Sequence, residues 1–216
     1  MNPLWHALGQ SIKIAVPATL GAALLAVPIG YLLARRHFPG KAALETFLMM
    51  PLVLPPTVVG YFLLVLMGHN GVLSGPFHFS VVWTWYGGAM ASGVVAFPLL
   101  MMPARAAFAA VDKELEDVSR LMGANPFQVF WYVSLPMAKT GIASGILLGF
   151  ARALGEFGAT MMVLGIRDQT MTLPIFVYNE FEDLNPQGLI PAVALLTAVT
   201  LLVIVIYNRL PLNKVG

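Results

Sequence analysis

The run IKIAVPATLGAALLAVPIGYLLA, residues 12–34, contains a single charged side chain, Lys13. A helix that crosses the hydrocarbon core of a membrane needs about 20 mostly apolar residues, and this run supplies them. It is also longer than the apolar part of a secretory signal, which has roughly 7–15 residues, and no basic segment leads it. We therefore predict a retained membrane span at the start of the fold.

Comparable apolar runs follow at about 46–67, 83–110, 137–164 and 188–208. Of the 216 residues 58% are apolar and 10% charged, and the mean hydropathy is +0.81, whereas soluble domains have roughly 25% charged residues. The runs lack the alternation of barrel strands. The sequence thus predicts an all-α, multi-pass protein of the cell membrane, a single transmembrane domain over residues 1–216 that is surrounded by the lipid bilayer.

The number of membrane helices depends on one further segment. Its apolar part, residues 171–181, is too short to span. We expect a short surface or re-entrant helix there, and a sixth membrane helix over 171–184 is the alternative. The prediction is therefore five to six membrane helices.

Lysine and arginine are distributed unevenly between the two sides of the membrane. One side consists of the first loop, the long loop after the third span and the C-terminal tail, each with its flanking residues. This side carries nine of the twelve basic residues: Arg35, Arg36, Lys41, Arg105, Lys113, Arg120, Lys139, Arg209 and Lys214. Lys13 and Arg167 lie on the other side, and Arg152 lies within a span. Because basic loops stay in the cytoplasm, we expect an external N-terminus, a cytoplasmic C-terminus and five full crossings.

Several kinds of chemistry are missing from the sequence. It has no cysteine, and its four histidines are scattered without metal-ligand spacing, so we expect no metal site. No block of like charges suggests a nucleic-acid partner. No phosphate-binding loop of the G-x-x-x-x-G-K-[ST] type is present. We expect no cofactor in this chain and no catalytic site, so any energy from ATP must come from a partner.

The loop VDKELEDVSRLMGANPFQVFWYVSLP, residues 111–136, is the most informative stretch. Apolar residues recur at helical spacing after an acidic start, which predicts a short amphipathic helix. Gly123 is expected to end that helix in the left-handed conformation. Asn125 and Pro126 are expected to begin a second helix as its N-cap and first residue. The loop is therefore a helix-turn-helix with an exposed, mostly small and apolar tip between two spans.

The spacing within this loop resembles the loop signature of ABC importer permeases, in which Glu-Ala-Ala is followed after three residues by Gly and after nine more by Ile-x-Leu-Pro. The matching positions are Asp117, Val118, Ser119, Gly123, Val133, Leu135 and Pro136. The glycine and the Leu-Pro pair match, and the leading triplet departs conservatively. The segments MPLVLPPTVVGYFLL (50–64) and FARALGEFGATMMVLG (150–165) are similar to the molybdate/tungstate permease subfamily. Sulfate and thiosulfate permeases share much of the second segment but are typically longer.

The resemblance implies a type I ABC importer permease that carries molybdate or tungstate into the cytoplasm. It implies a homodimer of permeases, two cytosolic ABC ATPase subunits that use ATP and Mg, and an external or periplasmic oxyanion-binding protein. It also implies that the loop enters a cleft of the ATPase as a coupling helix. The residues expected to contribute are Glu116, Asp117, Val118, Ser119, Gly123, Ala124, Leu135 and Pro136.

Two features inside the predicted spans are candidates for the pathway or the bundle interior. Arg152 and Glu156 stand four residues apart, and charge within a membrane is costly unless it is paired or functional. They either neutralise each other across one helical turn or act on an oxyanion pathway, and the small residues Gly155 and Gly158 beside Glu156 favour close helix approach. Pro51, Pro55 and Pro56 either shape a gate in a broken helix or only kink it.

Three alternatives to a molybdate importer remain. The first is a sulfate or thiosulfate ABC permease. The second is a secondary transporter or channel without an ATPase, although such carriers generally show internal repeats and none is visible here. The third is an integral membrane enzyme, which would need convergent acid, base or metal ligands beyond the Arg152 and Glu156 pair.

Overall fold

The computed structural model describes residues 3–68, 71, 81–167 and 169–209, and throughout these ranges the regular elements are helices. In chain order they are α1 (Pro3–Arg35), α2 (Lys41–Val53), α3 (Pro56–Met67), α4 (Trp85–Ala110), α5 (Lys113–Leu121), α6 (Pro126–Val129), the π-helical segment π1 (Phe130–Ser134), α7 (Leu135–Leu154), α8 (Gly158–Leu164), α9 (Leu173–Glu182) and α10 (Pro186–Arg209). The predicted all-α class is confirmed for this part of the chain. His69, His78 and Lys214 lie outside the described residues.

Four continuous helical stretches are long and apolar enough to cross a membrane. They are α1, α4, the run from α6 through π1 to α7, and α10. A fifth candidate is the bent pair of α2 and α3. The described part of the chain therefore holds four to five candidate spans.

The apolar run over 46–67, for which the sequence left a broken or a kinked helix open, is broken at Pro55 and Pro56. α2 and α3 are separate helices whose axes differ by 112°, because Pro55 and Pro56 lack the N–H groups that would continue the helix and hold the preceding Leu54 extended, at φ −69° and ψ 144°. α2 begins near the end of α4, where Arg105 Nη1 lies 3.1 Å from Glu45 Oε2. α3 ends near the start of α4, where the Val81 N–H donates to the Met67 carbonyl over 3.5 Å. The pair thus contacts α4 near both of its ends, in the manner of either a broken span or a re-entrant loop.

The predicted span over 137–164 is also interrupted. α7 ends at Leu154, and α8 begins only at Gly158. The run 171–184 forms α9, a helix of ten residues whose length of about 15 Å is half of what a membrane crossing needs. The N–H of its first residue, Leu173, donates to Ser11 Oγ of α1 over 2.7 Å.

Small residues allow the central helices to approach closely. α1 and α4 run parallel: Lys13 lies over the Trp85 ring at 5.3 Å near their starts, and Arg35 donates to the Val111 carbonyl over 2.8 Å at their ends. α7 packs on α4 through a glycine stripe, and a Cβ added at Gly145 would lie 2.9 Å from the Leu100 carbonyl oxygen. Backbone contact of this kind replaces the missing hydrophobic effect inside a membrane.

Candidate functional site

The loop between α4 and α7 folds as its sequence predicts. Asp112 caps α5 by accepting from the Glu114 N–H over 2.9 Å. Gly123 ends α5 with φ +93°, and the N–H groups of Gly123 and Ala124 donate to the carbonyls of Arg120 and Ser119, each over 3.0 Å. This pair of bonds is a Schellman motif, in which glycine takes the left-handed position without the penalty that a Cβ brings.

The second helix of the loop begins with a capping box. The Gln128 N–H donates to Asn125 Oδ1 over 2.9 Å, and the Asn125 N–H donates to Gln128 Oε1 over 2.8 Å. Pro126 occupies the first helical position, where its missing N–H costs nothing. The two helices and the turn between them are therefore held by local bonds that need no partner protein.

The loop presents large apolar side chains to its surroundings. Leu121 is 87% exposed and Met122 84% exposed, so the tip is apolar, as predicted, but larger than the predicted small residues. The exposed apolar residues of the loop are Leu115, Val118, Leu121, Met122, Phe127, Trp131 and Tyr132. We call these seven residues the apolar loop face. Exposed apolar patches of this kind mark sites that contact another protein or the membrane.

The other predicted loop residues divide between the surface and the packed base. Asp117 is exposed and binds Arg120 Nη1 at 2.6 Å. The Ser119 hydroxyl donates to the Leu115 carbonyl over 2.7 Å, Pro136 is exposed, and Leu135 packs against the cluster around Phe108. The exposed members are available to a partner, and Leu135 anchors the loop to the bundle.

Glu116 differs from its neighbours because it is buried, with 2% of its side chain exposed. Its Oε1 accepts from Arg35 Nε over 2.9 Å and from the Ser134 hydroxyl over 2.6 Å, and it lies 2.8 Å from Arg35 Nη2. Its Oε2 lies 3.4 Å from Arg120 Nη2. The sequence places Glu116 in the acidic start of α5 and, through the resemblance, in the coupling loop, so its burial among ion pairs and hydrogen bonds is a new finding. A basic residue at the end of the first span was the only sign of it in the sequence.

A π-helical turn and an aromatic cluster complete the base of the loop. In π1 the Leu135 N–H donates to the Phe130 carbonyl five residues back, which makes a wide helical turn. Within this turn, the Ser134 hydroxyl donates to Glu116 and the Phe130 ring packs against the aromatic cluster. The Phe130 ring lies 4.9 Å from Tyr31 of α1 and 6.0 Å from Phe108 of α4. Wide turns of this type occur frequently at functional sites.

The second candidate site lies at the break between α7 and α8. Arg152 Nη1 and Glu156 Oε2 form an ion pair at 2.5 Å, and 1% of the Glu156 side chain is exposed. The predicted contact is present, but the helix ends at Leu154, so the pair bridges a helix end and does not lie on one continuous turn. Glu156 Oε1 also accepts from the Ala159 N–H over 2.7 Å. One carboxylate thus pairs with α7 and caps the first turn of α8.

The break between α2 and α3 lies close to the break between α7 and α8. A Cβ added at Gly158 would lie 3.1 Å from Pro56 Cβ, and one added at Gly60 would lie 2.8 Å from Met162 Cβ. The predicted close approach at Gly158 is therefore present, whereas Gly155 is exposed and has only the Ala151 carbonyl nearby, at 3.5 Å. Pro55, Pro56, Arg152 and Glu156, predicted together as pathway candidates, all lie at or beside this junction of α3 and α8.

The loop and the junction are at opposite ends of α7. Its 20 residues separate them by about 30 Å at 1.5 Å per residue. Within the described residues, no group of three or more His, Asp or Glu side chains is arranged to hold a metal ion.

Comparison with known proteins gives a family and a fold. Residues 26–211 match the family described as binding-protein-dependent transport system inner membrane component. The molybdenum transport system permease protein ModB of Haemophilus influenzae is 40% identical over 178 residues, which are 80% of this chain and 78% of that protein. The molybdate/tungstate transport system permease protein WtpB of Thermococcus kodakarensis is 36% identical over 82% of this chain and 67% of its own length.

A sulfate permease and a solved transporter structure are also similar. The sulfate transport system permease protein CysW of Synechocystis is 33% identical over 93% of this chain and 79% of that protein. A chain of a bacterial alginate ABC transporter, solved in complex with an alginate-bound periplasmic protein, superimposes with a TM-score of 0.76 over 99% of this chain and 80% of that chain. At 12% identity that superposition concerns the fold alone.

Proposed function

This chain belongs to the family of binding-protein-dependent transport system inner membrane components, and on that premise we propose that it is the membrane permease of an ATP-driven importer of molybdate or tungstate. The apolar loop face carries the proposal. It is an exposed surface on a short helix pair with local caps that is attached to two membrane helices, and we propose that a partner protein covers it and buries its apolar area.

The partner that this surface fits is a cytosolic ATPase. The chain has no phosphate-binding loop of its own, so ATP and Mg would be bound and hydrolysed by that subunit. A short helix with local caps at both ends transmits force better than a flexible loop. We infer that residues 111–136 form the coupling loop, with two ATPase subunits below a permease homodimer and an oxyanion-binding protein outside.

The proposed substrate follows from the named relatives. The 40% identity to a molybdenum permease exceeds the 33% identity to a sulfate permease, which supports molybdate over sulfate. Molybdate and tungstate have nearly the same size and charge, and the similarity to a molybdate/tungstate permease includes both. Import of sulfate is the second candidate, supported by the similarity of the sulfate permease over nearly the whole chain.

The proposed topology places the coupling loop in the cytoplasm. Arg35 at the end of α1 and Glu116 in the loop are bonded to each other, so the first basic loop and the coupling loop lie at the same end of the bundle. Basic loops favour the cytoplasmic side. With the bent pair of α2 and α3 as one crossing, five crossings place the N-terminus outside and the C-terminus inside.

The junction of α3 and α8 is our candidate for the gate. Arg152 is ion-paired with the buried Glu156. We therefore propose that this pair stabilises the chain where α7 ends and α8 begins, and that it does not bind the oxyanion directly. Pro55 and Pro56 interrupt the neighbouring crossing at the same place. Broken helices in contact are a common way to open and close a pathway in transporters.

Co-purification and transport together test the proposal. The full chain is expressed with its partner ATPase, purified, and reconstituted with the oxyanion-binding protein. We expect the ATPase to co-purify and molybdate uptake to require ATP hydrolysis. Uptake driven by an ion gradient in vesicles that lack the ATPase would support a secondary transporter in its place.

A further inference from the structure

The buried carboxylate of Glu116 joins parts of the chain that are far apart in sequence. Arg35 of α1 and Ser134 of π1 both bond to its Oε1, at 2.9 Å and 2.6 Å. Arg35 Nη2 also donates to the Val111 carbonyl at the end of α4, over 2.8 Å. The side chains of Arg35 and Glu116 are 7% and 2% exposed. A single buried cluster thus ties together α1, α4, α5 and the start of α7.

The burial of this cluster makes its geometry specific. A buried ion pair gives little net stability compared with apolar packing, but removing one partner leaves a buried charge without compensation. The main effect of the cluster is therefore to fix the orientation of the loop. Its net contribution to the free energy of folding is small. The neighbouring pair of Asp117 and Arg120 is exposed, at 66% and 46%, and solvent-exposed pairs fix geometry weakly.

The aromatic cluster beside Glu116 joins the same helices. Tyr31 of α1, Phe108 of α4 and Phe130 of π1 contact one another with ring centroids 4.9 to 6.0 Å apart. We call these contacts between α1 and the base of the loop the α1 joint. The hydrogen bonds of Glu116 fix the orientation of the α1 joint, and the three rings fill its interior. α1 is therefore attached to the base of the loop by two independent sets of contacts.

We infer that Glu116 is a positioning residue that attaches the end of α1 to the coupling loop, in addition to the two helices that the loop connects. The loop moves as one body with α1 as well as with the two helices, α4 and α7, that it connects. A displacement of the apolar loop face is then passed to α1, whose far end packs on α9 through Ser11 and Leu173. This inference rests on the proposed function, because it assigns a route by which the ATPase acts on the external half of the bundle.

The first test compares two carboxylates on the same helix. Glu116→Gln removes the buried charge, and Glu114→Gln makes the same chemical change at an exposed position. Purified complexes of each variant are assayed for molybdate uptake and ATP hydrolysis. We expect the ratio of uptake to hydrolysis to fall by at least about tenfold in Glu116→Gln, because the Arg35 charge is then buried without its partner, and to be unchanged in Glu114→Gln. Equal ratios in the two variants would overturn the inference.

A gentler variant keeps the test decisive if Glu116→Gln inserts poorly. Ser134→Ala retains both charges and removes the 2.6 Å bond to Glu116 together with a longer one, 3.4 Å, to the Val129 carbonyl in the same helical run. We expect Ser134→Ala to retain the ATPase and hydrolysis while lowering uptake per ATP, and Glu116→Asp to recover part of the ratio. A normal ratio in Ser134→Ala, with the complex intact, counts against a positioning role.

A distance measurement tests the attachment without transport. The chain has no cysteine, so spin labels can be placed at Met122→Cys on the loop tip and Leu32→Cys on α1, where both side chains are exposed. Labelled chains are diluted with unlabelled ones in nanodiscs, and no ATPase is present. We expect a narrow distance distribution that broadens in Glu116→Gln and stays narrow in Glu114→Gln. An equally narrow distribution in Glu116→Gln would refute the inference that Glu116 attaches α1 to the loop. Absence of ATP-driven uptake in the wild type would refute only the proposed function.

Discussion

Replacing Gly123 with valine changes the turn on which the coupling loop depends. Gly123 has φ +93°, and an added Cβ would meet no atom within 4 Å. The cost therefore comes from the backbone conformation and not from a clash inside the chain. A left-handed residue that carries a Cβ loses roughly 1–2 kcal/mol, and each 1.4 kcal/mol is about a tenfold change in an equilibrium.

The strain can be relieved only by rotating the backbone at position 123. That rotation would break the two Schellman bonds to Ser119 and Arg120, each 3.0 Å long, and would change the angle between α5 and α6. The membrane helices do not depend on these bonds. We therefore expect Gly123→Val to be expressed and inserted normally, with roughly tenfold weaker ATPase attachment or a similar loss of uptake per ATP hydrolysed.

Gly40 provides a matched control. It has φ +83° and no atom within 4 Å of an added Cβ, so Gly40→Val introduces similar strain in the neighbouring loop between α1 and α2. ATPase co-purification, ATP hydrolysis and molybdate uptake are measured for both variants. Normal values of all three in Gly123→Val would mean that the loop is only a connector, and equal losses in the two variants would mean that the defect is general strain.

Three further predictions address the other sites. Arg152→Ala leaves Glu156 buried and unpaired, which should cost about 3–5 kcal/mol and lower the melting temperature in detergent. If neutralising both residues restores stability and uptake the pair is structural, whereas stability without uptake would place Arg152 on the pathway. Leu121→Asp should weaken ATPase co-purification without lowering the melting temperature, because the side chain is 87% exposed, and a normal complex would exclude that contact. A reporter fused near Lys113 should be cytoplasmic and one near His69 external, and an external result at Lys113 would contradict the topology.

The local structure of the loop could be predicted from its sequence because its signals are short-range. Gly123 at the end of α5, and Asn125 with Pro126 at the start of α6, act through their own backbone and need no distant contact. The apolar spacing of α5 likewise identifies a face that is apolar, and the structure adds that this face is exposed.

Whether Pro55 and Pro56 break or only kink their helix, and that Glu116 is buried, could not be predicted because both depend on contacts between distant segments. Pro17 and Pro28 lie inside the continuous helix α1. The presence of proline alone therefore does not predict that the chain breaks at Pro55 and Pro56. The burial of Glu116 depends on Arg35, which is 81 positions away, and a carboxylate in the first turn of a helix is ordinarily solvated. Packing partners of this kind decide which of several permitted local structures is adopted.

Uptake of labelled molybdate into proteoliposomes that contain this chain and its partner ATPase, with ATP and Mg enclosed and the oxyanion-binding protein outside, tests the central proposal most closely. We expect uptake only when the ATPase, ATP and the binding protein are all present, with stronger competition by tungstate than by sulfate. Uptake that persists without the ATPase would contradict an ATP-driven importer, and stronger competition by sulfate would contradict the proposed substrate.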